Sequence, residues 1–194
     1  MSSVSPSCSL GALPSRFRRQ RILIVGCGDV GQRVARDLLG PSPSHSRVRV
    51  LALTSSAERV ASLRALGITP LLGNLDRAAS LRRLSGLATR VLHLAPPPGQ
   101  GAGGDDWWRD PRTVALARAL RLRSLPDALV YASTSGVYGD CGGAWVTEVR
   151  PVAPGTPRAQ RRVDAERAMR HLGRAGVRTS ILRVPGIYAP DREG

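Results

Sequence analysis

Residues 21–39 read RILIVGCGDVGQRVARDLL, and this stretch decides the fold. Ile22, Leu23, Ile24 and Val25 form a short, β-branched, unbroken apolar run, the pattern of a strand buried on both faces. Glycines follow as Gly26-Cys27-Gly28-Asp29-Val30-Gly31, a G-x-G-x-x-G. Val30, Val34, Ala35, Leu38 and Leu39 then recur at helical spacing until Gly40-Pro41 stops the helix. The glycine spacing alone is a weak signal. Between a buried strand and an amphipathic helix it becomes a specific one, for a turn that cradles a dinucleotide. Gly26 permits the tight turn, Gly28 lets the backbone approach a pyrophosphate, and Gly31 lets helix and strand pack closely. The helix start at Asp29 and Val30 offers N–H groups and a positive dipole end to the phosphates. Cys27 reads as a small filler rather than a nucleophile. The bland alternative is a glycine-rich turn that holds no ligand.

Outward from this turn the alternation repeats. Val48–Leu53, Thr69–Leu72, Val91–Leu94, Ala128–Tyr131 and Thr179–Arg183 read as strands. Ala57–Leu66, Ala78–Leu84, Val114–Leu122 and Arg158–Leu172 read as helices. Alternation of this kind predicts right-handed crossovers and an α/β fold, a doubly wound parallel sheet of Rossmann type. Residues 21–194 are expected to form the dinucleotide-binding domain. Residues 1–20, rich in Ser, Pro and Arg and without an acid, are expected to be a disordered extension.

The end of the second strand selects the cofactor. An NAD site places an acid about 20 residues beyond the glycines, to bond the ribose hydroxyls. Here the chain has Leu53-Thr54-Ser55-Ser56, then Glu58 and Arg59 inside the next helix. Hydroxyls and a guanidinium suit a 2′-phosphate better than an acid would, so NADP is favoured over NAD. The bland reading of Arg59 is a solvated helix residue.

Composition narrows the function classes. The 194 residues carry 29 basic and 14 acidic side chains, a net charge of +15. Every basic residue is arginine. Schiff-base chemistry, a phosphate-loop lysine and a lysine that tunes a catalytic tyrosine are therefore all excluded. A large positive charge attracts polyanions without specificity. Its spread argues against a nucleic-acid module: 8 Arg face 2 acids in residues 1–49, 11 face 8 in 50–149, and 10 face 4 in 150–194. No apolar run reaches the roughly 18 residues of a membrane span. Cys8, Cys27 and Cys141 are odd in number and lack CxxC spacing, which fits no disulfide framework or cysteine zinc site and suits a reducing cytoplasm. No metal site is expected; His93 ends an apolar strand without neighbouring ligands and reads as a core histidine.

A third motif adds a family. Val130-Tyr131-Ala132-Ser133-Thr134-Ser135-Gly136-Val137-Tyr138-Gly139 resembles the signature of extended short-chain dehydrogenases/reductases, the NAD-dependent epimerase/dehydratase group. His93-Leu94-Ala95-Pro96-Pro97-Pro98, Trp145-Val146-Thr147-Glu148, Ala165-Glu166 and Leu182-Arg183-Val184-Pro185-Gly186-Ile187-Tyr188 follow in register. The G-x-G-x-x-G spacing and the Ala-Pro-Pro-Pro loop look like an atypical branch. The resemblance implies an NAD(P)-dependent oxidoreductase acting on a small-molecule substrate, with Ala95 beside the cofactor and Thr134 bonding the reacting oxygen. The family's acid/base is the tyrosine of Tyr-x-x-x-Lys. Counting back from Glu166 puts that pair at Arg158 and Arg162, and both are arginine. An arginine stays protonated at working pH and is no proton-transfer catalyst. Arg162 would still bring positive charge to the nicotinamide ribose, or else Arg158, Arg161 and Arg162 are a solvated helix face.

Two readings stay open at Tyr138: a replacement acid beside Thr134, or a packed aromatic. Trp107 and Trp108 would lid the pocket or, more simply, anchor the following helix. Relatives of this kind usually continue past the position of Gly194 into a substrate lobe. That lobe is expected to be largely missing, leaving apolar surface that invites a homodimer. A catalytically inactive dinucleotide sensor or scaffold is the alternative function.

Overall fold

The computed structural model describes residues 20–40, 48–99, 104–189 and 191. Six strands run β1 (Gln20–Val25), β2 (Val48–Thr54), β3 (Thr69–Leu72), β4 (Arg90–His93), β5 (Ala128–Thr134) and β6 (Arg178–Val184). They form one sheet in the order β3-β2-β1-β4-β5-β6, and every pairing is parallel. Helices α1 (Asp29–Leu39), α2 (Arg59–Ala65), α3 (Ala78–Leu81), α4 (Pro111–Leu120) and α5 (Pro157–Arg174) make the crossovers. This is the doubly wound Rossmann arrangement, with the order reversing between β1 and β4.

The two faces are separated by the period of the strands. Leu23, Val25, Leu51 and Leu53 join Leu81, Leu116, Leu120 and Met169 in one core, beneath α3, α4 and α5. Ile24, Val50 and Ala52 join Ala35, Leu63 and Ile68 in the other, beneath α1 and α2. Burying a side chain such as Leu23 or Ile24 contributes about 1.5–3 kcal/mol. That offsets the roughly 1–2 kcal/mol of backbone ordering per residue, so the apolar run holds β1 at the centre of the sheet.

Element ends differ from expectation where side chains or partners set them. α4 starts at Pro111, three residues early, because the Asp110 carboxylate accepts from Thr113 N at 3.2 Å and proline has no N–H to leave unpaired. β5 continues to Thr134 because Ala132, Ser133 and Thr134 pair with Leu182, Arg183 and Val184 of β6. Ser135–Tyr138 form a 3-10 turn. The expected N-terminal extension lies outside the described residues, except Gln20, which opens β1 opposite Val48. No helix among the described residues is long and apolar enough to cross a membrane.

Candidate functional site

The switch between β1 and β4 opens a crevice at the C-terminal ends of the strands, where ligands of this architecture sit. Gly26 lies there at φ +89°, and a Cβ on it would fall 2.4 Å from Ala95 N. Gly26 is thus dictated by the fold, since Ala95 N is held at 3.0 Å on Val25 O. A Cβ on Gly31 would meet Gly26 O at 3.1 Å and Ile24 Cγ2 at 3.2 Å, so this glycine sets the approach of α1 to β1. Gly28 is different. A Cβ there would meet nothing within 4 Å. Gly28 precedes the first helical residue, and the first intrahelical bond runs from Gln32 N to Gly28 O at 2.9 Å.

A cavity of about 570 Å³ covers this turn. Gly26, Gly28, Asp29, Val30, Gly31, Thr54, Arg59 and Ala95 all line it. Arg59 is turned inward rather than into solvent: its guanidinium donates to Cys27 O at 2.5 Å. The solvated reading of Arg59 is therefore corrected. The Thr54 hydroxyl accepts from Ser56 N at 3.3 Å, which fixes the hydroxyl-rich end of β2 in the cavity wall. Burial pushes the Cys27 thiol up and Arg59's charge opposes that only partly, so Cys27 is a protonated packing group. Asn74, Asp76 and Arg112 also line the cavity and were not anticipated. Arg112 clamps Asp76 with two bonds of 2.6 and 2.7 Å. The Gly73-Asn74-Leu75-Asp76 run after β3 was the signal for Asn74 and Asp76.

A second cavity of about 510 Å³ continues from Asp29, Val30 and Leu94 towards β5 and β6, and Arg162 lines it with Ala132 and Ser133. The two cavities flank one glycine turn at a helix N-terminus, with open space over Gly28. The residues present fit a dinucleotide.

The arginines of α5 correct the idea of a solvated face. Arg158 is exposed, but Arg161 and Arg162 are buried. Arg161 donates to Trp107 O at 2.6 Å and to Pro98 O at 2.8 Å, tying down the segments that follow β4. Trp107 and Trp108 are 46% and 37% exposed, so neither is a buried anchor, and neither lines the two cavities. Their segment is held through backbone, by Arg161. Arg162 donates to Tyr131 Oη at 3.0 Å and to Ala132 O at 2.7 Å. Its Nε is buried without a partner.

Behind Arg162 lies a polar chain. The His93 ring packs 5.0 Å from Tyr131, and its Nε2 lies 2.8 Å from Thr113 Oγ1. Thr113 donates to Asp110 at 2.7 Å, so His93 Nε2 carries the proton and Nδ1 is left bare. Burial, with Arg162's charge, pushes the His93 pKa down to about 3. Burial pushes Tyr131 up to about 12 against the pull of Arg162, which makes it a poor acid despite its cationic neighbour. Among the described residues no group of three or more His, Cys, Asp or Glu is placed to hold a metal.

Thr134 and Tyr138 are engaged structurally. Thr134 Oγ1 accepts from Gly136 N at 3.2 Å, capping the 3-10 turn, and the residue lines neither cavity. Tyr138 is buried against Val137 and Val163. Its hydroxyl accepts from Arg183 at 2.7 Å, and that guanidinium also lies 4.7 Å over the ring. Arg183 is held in turn by Glu166, which is fully buried and also accepts from Ser133 at 2.6 Å and Arg170 at 2.9 Å. Burial raises the Glu166 pKa, but the bonds from Arg183 and Ser133 outweigh it and leave this carboxylate below its ordinary value.

Residues 22–194 match the NAD dependent epimerase/dehydratase family. No curated protein matches the chain. The UDP-glucuronic acid 4-epimerase of Bacillus cereus, solved with NAD, is 23% identical with a TM-score of 0.70, over 89% of this chain and 58% of that one. The UDP-glucose 4-epimerase of Thermotoga maritima is 19% identical with a TM-score of 0.71, over 90% and 58%. A conserved protein of unknown function from Silicibacter pomeroyi is 26% identical with a TM-score of 0.62, over 89% and 55%. The chain spans a little over half the length of these structures. By its parallel sheet, its glycine turn and a match over residues 22–194, the chain belongs to the NAD-dependent epimerase/dehydratase family.

Proposed function

We propose that the chain binds a nicotinamide dinucleotide along the C-terminal edge of the sheet, as an oxidoreductase-type domain of short-chain dehydrogenase/reductase descent. The observation that carries this reading is the open space over Gly28 at the start of α1, in a cavity that Gly26 and Gly31 are forced to shape. The pyrophosphate would lie over Gly28 against the N-terminus of α1, with Thr54 and Arg59 at the adenosine ribose and Arg162 at the nicotinamide ribose. When bound, the dinucleotide supplies hydride exchange at its nicotinamide ring. Titration of the protein with NADPH, followed by nicotinamide fluorescence, tests the reading; absence of a saturable signal overturns it.

NADP(H) is the preferred form. No carboxylate stands at the end of β2 to accept ribose hydroxyls, whereas the Arg59 guanidinium already faces the cavity. Arginine forks match phosphate oxygens. Thr54→Asp is expected to shift preference towards NAD by about tenfold, through one charge-assisted bond gained and a 2′-phosphate repelled. Calorimetric titration reads the ratio; an unaltered protein that prefers NAD contradicts the assignment.

Turnover is expected to be weak. Arg158 and Arg162 stand where the resemblance puts the acid/base pair, and a guanidinium offers donors but no acceptor for a proton. General acid–base help is worth about 10²–10⁴-fold, so losing it favours a second reading, a dinucleotide sensor or scaffold. The remaining route runs through Thr134 with Tyr138 as donor. A screen with NADPH and NADH against aldehydes, ketones and nucleotide sugars separates the readings. Robust turnover that Tyr138→Phe abolishes would promote Tyr138 to catalyst. Exposed Trp145, Val149, Leu182 and Tyr188 supply the apolar surface for association of two copies.

A further inference from the structure

A separate cleft of about 630 Å³ lies between α3 and α4, across the Arg112–Asp76 pair from the dinucleotide cavity. Leu75, Val114 and Leu122 give it an apolar lining, and Leu122 is 58% exposed. Arginines surround that lining: Arg82 from the turn after α3, Arg109, Arg112, and Arg118 on α4. Arg109 pairs with Asp106 at 3.1 Å and Arg112 with Asp76 at 2.6 Å. Arg82 and Arg118 have no ion pair among the described residues. Two uncompensated guanidinium groups therefore stand beside apolar surface that water covers poorly.

We propose that this cleft is a second ligand site, taking a small amphipathic anion: an acyl or aryl body with one oxyanion head. An apolar body gains by leaving water against Leu75, Val114 and Leu122. An oxyanion head accepts from the fork geometry of Arg82 or Arg118. A neutral apolar molecule would use only the lining, and inorganic phosphate only the arginines. Leu75, Asp76 and Arg112 line both cavities, but the glycine turn contributes nothing to the walls of this one, so a ligand here does not require the dinucleotide reading.

The test uses 8-anilinonaphthalene-1-sulfonate, an aryl body with one sulfonate, on the full chain. Saturable, single-site fluorescence enhancement is expected, displaced by octanoate and not by octan-1-ol at equal concentration. Arg82 and Arg118 are exposed, so Arg82→Glu/Arg118→Glu is expected to fold, as circular dichroism would check, and to weaken the probe at least about tenfold. The Gly28→Val protein is expected to bind the probe as the unaltered chain does. Unchanged affinity in the double arginine variant overturns the proposal, as does equal displacement by the alcohol. Displacement by NADPH together with loss in Gly28→Val would put the probe in the dinucleotide cavity, which also overturns it. Displacement by a short oligonucleotide but not by octanoate would assign these arginines to nucleic acid instead.

Discussion

The Gly28→Val protein is expected to fold normally and to lose dinucleotide affinity by about 100-fold or more. A Cβ at this position meets no protein atom within 4 Å, and the backbone there, φ −78°, is open to any residue. The added side chain therefore costs the fold little and occupies the space assigned to the pyrophosphate. Gly26→Ala is the contrasting variant, two residues away. It strains a backbone at φ +89° and drives a methyl group to 2.4 Å from Ala95 N. Positive φ alone costs about 1–2 kcal/mol, and a backbone shift at β4 adds to it, so Gly26→Ala is expected to lower the melting temperature sharply. Thermal denaturation and NADPH titration on both variants read the difference. A stable Gly28→Val protein that keeps its affinity removes the pyrophosphate from this turn.

Acid is expected to destabilise the protein from about pH 6.5 downward, with His93 the principal cause. The folded-state pKa is pushed down to about 3, against roughly 6.5 in an unfolded chain. Between those values the unfolded state binds a proton that the folded state refuses. Stability is therefore full above pH 6.5 and falls as pH drops towards 3, by on the order of 5 kcal/mol across the window. Domains of this size are typically stable by about 5–15 kcal/mol, so this one group consumes much of the margin. The opposing group is Asp110, whose carboxyl burial pushes up and which therefore favours the folded state in acid. His93→Gln isolates the histidine, because an amide N–H can replace the donor to Thr113 without titrating. Denaturant midpoints from pH 7.5 to 4.5 are expected to fall for the unaltered protein and to fall less for His93→Gln. Parallel slopes would remove His93 as the cause.

The fold was legible because its signals are local. Ile22–Val25, the three glycines and the α1 periodicity sit within twenty residues, and each follows from a short-range rule. The cavity lining at Gly28, Thr54 and Ala95 was legible for the same reason, since each lies at or within three residues of the C-terminal end of a strand. The partners of the arginines were not legible. Arg59, Arg112, Arg161, Arg162 and Arg183 look alike in the chain, and their roles come from partners 32, 36, 54, 31 and 45 positions away. For Arg161 and Arg162 a solvated face stood open, beside a place for Arg162 at the nicotinamide ribose, because a charged pair on a helix is usually exposed. Here the carbonyls of Trp107, Pro98 and Ala132 absorb their donors, which makes burial tolerable. Tyr138 was left with two readings, and a loop position carried no trace of Arg183 waiting at the end of β6.

The strand order also has a kinetic consequence. β2 meets β3 across a short span, Leu51 against Thr69, whereas β1 meets β4 only when Ile22 reaches Arg90. Closing the longer span costs roughly 1 kcal/mol more in chain entropy, and among the described residues no hairpin assists it. The joint between the halves β1–β3 and β4–β6 spans the longest separation of the strand pairs and is therefore expected to close last during refolding. The glycine turn and Ala95 lie on opposite sides of that seam, so a dinucleotide seated there acts as a rivet, slowing unfolding more than it hastens folding.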